Sequence, residues 1–166
     1  QQILRADRET SGALPPKVEA NLVRSVTSAM KTCKAIVLSD YGKGSLSASA
    51  TKKIIRLAAK SKKIIIIDPK GTDFSRYSGA DLITPNRQEL ADAVGFDIET
   101  DADVVRASKQ LIKRHRFGAI LTTRSSDGMS IVSSNGLAAH LAAEVALPEP
   151  RSMDWAAPRA GARAVT

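Results

Sequence analysis

Short aliphatic runs, each stopped by a cluster of Gly, Asp, Pro or Asn, alternate along this chain with stretches whose apolar residues recur at helical spacing. Few folds accommodate that alternation. Pro15 and Pro16 suit a helix start, and Leu22, Val23, Val26 and Met30 give one apolar face to a helix over Val18–Lys31. Ala35–Leu38 reads as a buried strand, closed by Ser39 and Asp40 and followed by Gly42 and Gly44. Ser47–Lys62 is a second helix with Ile54, Ile55, Leu57 and Ala58 on one face. Ile64–Ile67 is continuously β-branched, the pattern of a strand covered on both faces, and Asp68, Pro69 and Gly71 stop it.

The pattern continues with a short strand at Asp81–Thr84, cut by Pro85, and a short helix over Arg87–Val94 that Gly95 ends. A longer helix is predicted for Asp101–Arg116, with Val104, Val105, Leu111 and Ile112 inward. Gly118–Thr123 is another buried strand, Gly128 opens a turn, and Met129–Val132 returns as a strand before the turn at Ser134, Asn135 and Gly136. Strand and helix alternating with short connections predict an α/β layered fold, its sheet mostly parallel and its crossovers right-handed. In such sheets ligands gather at the carboxyl ends of the strands.

Four polar clusters fall at that edge: Asp40–Gly44, Asp68–Asp73, Asn86–Glu89 and Thr123–Gly128. Their Gly, Asp, Lys, Thr and Asn content favours a phosphate or nucleotide site. Taken singly, each has a plainer explanation. Gly42-Lys43-Gly44-Ser45 lacks the glycine that a P-loop carries six residues before its lysine, although a glycine pair between strand and helix still exposes amides to an anion. Lys70 is either a phosphate partner or an exposed turn lysine. Asn86 and Glu89, spaced N-x-x-E, could hold Mg²⁺ directly or through water, or could simply suit a helix start. Thr122, Thr123, Arg124, Ser125 and Gly128 form a polar turn between strands, where hydroxyls and a guanidinium could meet a triphosphate. His115 and His140 have no partner at a recognisable spacing, and no nucleophile triad or zinc site is evident.

Composition narrows the setting. The net charge of +8 favours anionic partners, but most of the basic residues, Lys52, Lys53, Arg56, Lys60, Lys62 and Lys63 among them, read as a solvated helix face. Nucleic acid is therefore not the expected partner. Cys33 is the sole cysteine, which excludes an intrachain disulfide and fits a reducing cytoplasm. No apolar stretch of ~18 residues or export signal is found, so a cytoplasmic protein without a membrane partner is expected.

In their order along the chain, these clusters resemble the ribokinase (PfkB) superfamily from about Gln1 to Val145. The nearer resemblance is to its heptose 7-phosphate kinase branch. The matching runs are Leu38-Ser39-Asp40-Tyr41-Gly42-Lys43-Gly44, Asp68-Pro69-Lys70-Gly71-Thr72-Asp73-Phe74 followed by Arg76-Tyr77, Thr84-Pro85-Asn86 with Glu89, and Thr122-Thr123-Arg124-Ser125 with Gly128-Met129. The resemblance implies a three-layer, Rossmann-like α/β fold with a mostly parallel sheet of the ribokinase type, here a partial domain. It implies Mg²⁺ and ATP as cofactors, a phosphosugar substrate, phosphorylation of D-glycero-D-manno-heptose 7-phosphate at its anomeric oxygen toward ADP-heptose and lipopolysaccharide core, and room for a homodimer in the full-length family.

By the same resemblance, Asn86 and Glu89 organise the metal, and Thr123, Arg124, Ser125 and Gly128 lie along the nucleotide. Asp40, Gly42, Lys43, Gly44, Asp68 and Lys70 line the phosphate-transfer cleft. Two departures shape the expectation. The chain opens on Gln1 near the middle of a full kinase domain, with no counterpart of the N-terminal half. The family's Gly-Ala-Gly-Asp motif, whose aspartate is the general base, does not occur in the 166 residues, and Leu147–Thr166 shows no clear periodicity. Residues 1–145 are thus expected to be the central part of a kinase domain and 146–166 a divergent, out-of-frame or disordered tail. Losing a positioned base lowers rates by about 10² to 10⁴, so the chain is expected to be weakly active or inactive. The alternatives are another sugar or nucleoside kinase of the superfamily, and a non-catalytic fragment that binds nucleotide or nucleic acid.

Overall fold

The computed structural model describes residues 12–143. The boundary expected at 145/146 and the tail beyond it lie outside those residues. Helix α1 (Pro16–Ala29) precedes strand β1 (Ala35–Ser39), α2 (Ala48–Lys60), β2 (Ile64–Asp68), a 3₁₀ turn (Phe74–Tyr77) and β3 (Leu82–Ile83). Helices α3 (Arg87–Val94) and α4 (Asp101–His115) then lead to β4 (Ala119–Thr123), β5 (Met129–Ser133) and β6 (Ala138–Leu141). The strands form one sheet in the order β1-β2-β3-β4-β5-β6. Strands β1 to β4 run parallel, while β5 and β6 are antiparallel additions at the end.

Local chemistry sets the helix ends, with α1 starting and stopping two residues before the predicted Val18–Lys31. Pro16 opens α1, its missing N–H being one that a helix start leaves unpaired anyway. The Ser47 hydroxyl caps α2 by accepting from the Ala50 amide and donates in turn to Glu19 of α1 at 2.6 Å. Thr100 and Asp103 cap the start of α4 reciprocally, and Gly95 ends α3 in the left-handed conformation at φ 78°.

The register shows how the core is assembled. Ile36 and Leu38 pair with Ile65 and Ile67, Ile67 with Ile83, Ile83 with Ile120, and Ile120 with Val132. These side chains share one face of the sheet and pack with Met30, Ile54, Leu90, Val104 and Leu111 from the connecting segments and helices. The opposite face carries Val37, Ile64, Ile66, Leu82, Leu121, Ile131, Met129 and Leu141, none of them buried.

Among the described residues, then, helices cover one side of the sheet only. This corrects the reading of Ile64–Ile67 as covered on both faces: Ile65 and Ile67 are 1% and 0% exposed, whereas Ile64 is 56% exposed. An unbroken β-branched run marks both faces of a strand as apolar, but other segments decide whether each face is packed. No helix among the described residues is long and apolar enough to cross a membrane.

Candidate functional site

Because β1 to β4 are neighbours in sheet order and point the same way, the four polar clusters follow one another along the carboxyl edge. The parallel pairing extends beyond the strands into the clusters: the Asp40 amide bonds the Asp68 carbonyl at 3.0 Å, and the Thr84 amide the Ile67 carbonyl at 2.9 Å. The Thr123 amide bonds the Pro85 carbonyl at 3.2 Å, and Asn86 and Thr123 form a single parallel bridge. Three strand spacings of ~4.8 Å span ~14 Å, a length suited to a phosphate chain and the group that receives it.

The first two clusters enclose a cavity of about 640 Å³. Asp40, Gly42, Lys43, Gly44 and Lys70 line it, joined by Ser47, Lys52 and Arg76, whereas Asp68, expected in the same cleft, is not part of the lining. Lys52 and Arg76 were not anticipated as site residues, since one read as part of a solvated helix face and the other lay inside a motif without a role of its own. The second turn of α2 brings Lys52 to the cleft, while the 3₁₀ turn brings Arg76.

Beneath the cavity, Asp40 is held from every side. Its Oδ1 accepts the Gly42 amide at 2.8 Å, while Oδ2 accepts the Tyr77 hydroxyl at 2.7 Å and lies 3.2 Å from Arg76 Nη2. Burial, chiefly, pushes the Tyr77 phenol up to about 12, so it remains a donor across any working pH.

Asn86 and Glu89 form a reciprocal cap on α3. Asn86 Oδ1 accepts the Glu89 amide at 2.8 Å, and Glu89 Oε2 accepts the Asn86 amide at 3.0 Å. The other Glu89 oxygen pairs with Lys70 Nζ at 3.0 Å, which ties this cluster to the cavity. A metal is compatible with this donor set only in a limited way, because each oxygen already accepts a bond and keeps one lone pair. Among the described residues, no group of three or more His, Cys, Asp or Glu side chains is placed to hold a metal ion.

Asp68 sits beside this pair, its pKa raised first by burial and then by the negative charge of Glu89. Glu89→Gln preserves a capping oxygen and removes that charge. The Asp68 midpoint is then expected to move down toward its ordinary value of 3.8, read by carbon-detected NMR titration. An unmoved midpoint would show that the Glu89 charge has no part in the shift. In the wild type, the native state holds this proton more tightly than the unfolded chain, so the Asp68 contribution to stability declines as pH rises just above 3.8.

The fourth cluster is arranged differently from its sequence reading. Thr123 and Ser125 are exposed at the edge, but the Arg124 side chain is only 7% exposed and turns inward to pair with Asp101 at the start of α4. Its Nη2 also donates to the Asp127 carbonyl at 3.3 Å. Arg124 thus braces the turn, and it lines a small cavity together with Asp101, Asp127 and His140. Gly128 has φ 82°, and a Cβ there would collide with the Leu141 carbonyl, so the closeness of β6 already requires glycine. Across the turn, Arg87 pairs with Asp127 and holds its carboxyl below the usual range.

Folding also supplies His140 with partners that spacing did not reveal: its Nδ1 is 2.8 Å from Ser130 Oγ and 3.8 Å from Asp101. His115 packs against Phe117 at a ring-centroid separation of 5.4 Å.

A mostly parallel sheet with its polar loops and a cationic cavity at the carboxyl edge defines an α/β protein with a cleft suited to an anionic ligand. Residues 5–146 match the pfkB family of carbohydrate kinases, and the chain belongs to that family. It is 46% identical over 144 residues to the bifunctional protein HldE of Rhodospirillum rubrum, covering 87% of this chain and 29% of that protein. It is 44% identical to the HldE of Paramagnetospirillum magneticum, again over 87% of this chain and 30% of the relative. The chain thus spans just under a third of the length of these relatives. Among solved structures, phosphofructokinase-2 from Escherichia coli in complex with potassium superposes with a TM-score of 0.66 at 18% identity, covering 80% of this chain and 43% of that one. Ribokinase from Arabidopsis thaliana complexed with ribose and ATP gives 0.59 at 17% identity, covering 71% and 38%. At those identities the likeness concerns the fold.

Proposed function

We propose that this chain is the central part of a cytoplasmic kinase domain that transfers the terminal phosphoryl group of ATP to the anomeric oxygen of D-glycero-D-manno-heptose 7-phosphate. The observation that carries the proposal is the cavity at the carboxyl edge, where Lys43, Lys52, Lys70 and Arg76 meet the glycine amides of the β1–α2 loop. The similarity to HldE proteins supports the choice of sugar.

Phosphoryl transfer needs two anionic groups held in line with their charge neutralised, and little covalent chemistry from the protein. On this reading Lys43 and Lys70 offset the transferring phosphoryl group, with Asp40, Gly42 and Gly44 shaping the walls and Asp68 standing beside Glu89 and Lys70. Thr123, Ser125 and Gly128 lie along the nucleotide, and Arg124 contributes by bracing their turn. Asn86 and Glu89 would hold Mg²⁺ through water, each with its remaining lone pair. When bound, the metal would supply further neutralisation of the triphosphate.

Calorimetric titration tests the proposal. The wild-type chain is expected to bind Mg-ATP and heptose 7-phosphate, the latter in preference to fructose 6-phosphate. Lys70→Ala should weaken ATP binding about tenfold, the scale of one charge-assisted hydrogen bond. The ammonium it removes is more than half exposed, although its partner Glu89 is mostly buried, so the loss of stability should stay within about 1 kcal/mol, the upper end for a surface ion pair. Absence of binding to either ligand, or binding indifferent to Lys43→Ala and Lys70→Ala together, would overturn the assignment.

A further inference from the structure

We infer that Tyr77 is a positioning residue that fastens the two loops of the cleft, Asp40–Gly44 and Asp68–Asp73, into one unit. What those loops bind rests on the function proposed above; the coupling between them does not. Tyr77 comes from the 3₁₀ turn and is 0% exposed, lying under the cavity rather than in its lining. Its hydroxyl donates to Asp40 Oδ2 at 2.7 Å and accepts the Lys70 amide at 3.2 Å. One proton and two lone pairs permit both bonds at once. Asp40 relays the connection through its other oxygen to the Gly42 amide at 2.8 Å. An unbroken path thus runs from the Lys70 backbone through one phenol and one carboxylate to the Gly42 backbone.

Arg76 braces the same junction. Its guanidinium lies 5.3 Å from the Tyr77 ring centroid, pairs with Asp40, and donates to the Leu46 carbonyl just before α2. These bonds also define what Asp40 does. With the Tyr77 proton and Arg76 on one oxygen and the Gly42 amide on the other, the carboxylate is a clamp rather than an open proton acceptor. A phenol suits the position because its ring fills core beside Phe74, at a centroid distance of 6.2 Å, while its tip reaches two loops.

Tyr77→Phe keeps the ring and deletes the connection. Amide hydrogen exchange by NMR is the readout, because it reports loop opening whether or not a ligand binds. Exchange at Gly42, which does not touch Tyr77, is expected to rise about tenfold in Y77F, and the affinity for inorganic pyrophosphate to fall about tenfold. Faster exchange at Lys70 alone, with Gly42 unchanged, would mean that the phenol serves one loop only and would sink the inference. If Y77F does not fold, D40N takes its place with the roles reversed: Lys70, whose amide bonds Tyr77 and not Asp40, must then exchange faster, and an unchanged rate overturns the coupling. A wild-type chain that ignores pyrophosphate while Gly42 responds to Y77F would retain the coupling and reject the phosphate reading of the cleft.

Discussion

Replacing Asp40 with alanine is expected to lower the free energy of unfolding by about 3 kcal/mol, the lower end of the range for removing one member of a buried ion pair. The carboxylate is 2% exposed and its partner Arg76 27%, so the guanidinium left behind regains only part of its hydration. The Tyr77 hydroxyl and the Gly42 amide lose their acceptor in the same step. Asp40→Asn should cost less, since an amide oxygen of the same shape can still accept from Gly42. Urea unfolding followed by circular dichroism measures both, and an unchanged m-value is required for the comparison. Adding Arg76→Met to Asp40→Ala should recover part of the loss, because the buried charge is removed together with its partner. A loss for Asp40→Ala below about 1 kcal/mol would show that water serves the site as well as the carboxylate does.

Much of the fold is legible in local sequence. The strands predicted at Ala35–Leu38, Ile64–Ile67 and Met129–Val132 each form one residue longer, and the Pro16, Gly95 and Gly136 signals fall where chain direction changes. Strand β6 was not legible. All four of its residues are exposed, so it has no apolar alternation to announce it, and its pairing with β5 creates it. Long-range polar chemistry is equally invisible to spacing. Asp40 and Tyr77 are 37 positions apart, and only the adjacency of β1 and β2 turns them into neighbours. The pairing of Arg124 with Asp101, 23 positions away, is hidden in the same way, because the sequence shows only the place of Arg124 on the edge. The capping role of Asn86 and Glu89 did have a local signature, an Asn three residues before a Glu at a helix start, and a metal site shares that spacing.

Purified as these 166 residues, the chain is expected to turn over ATP and heptose 7-phosphate about 10² to 10⁴ times more slowly than a relative that carries the Gly-Ala-Gly-Asp motif. The sugar hydroxyl must lose a proton as it attacks phosphorus, and most of the carboxylates in and beside the cleft are committed elsewhere. Asp40 is engaged on both oxygens, and Asp73 caps the 3₁₀ turn through bonds of 2.9 and 3.0 Å from Ser75 that pull its pKa down. Glu89 is shared between Asn86 and Lys70. Asp68 is the exception: burial and the Glu89 charge raise its pKa, which moves it toward the range where a carboxylate accepts protons more effectively. ADP release in a coupled assay separates the cases. Binding of both ligands with turnover depressed by two or more orders of magnitude supports a cleft complete in its cations and incomplete in its base. Turnover within about tenfold of the relative would contradict that reading and make Asp68→Asn the decisive substitution, because loss of the remaining rate would identify the proton acceptor.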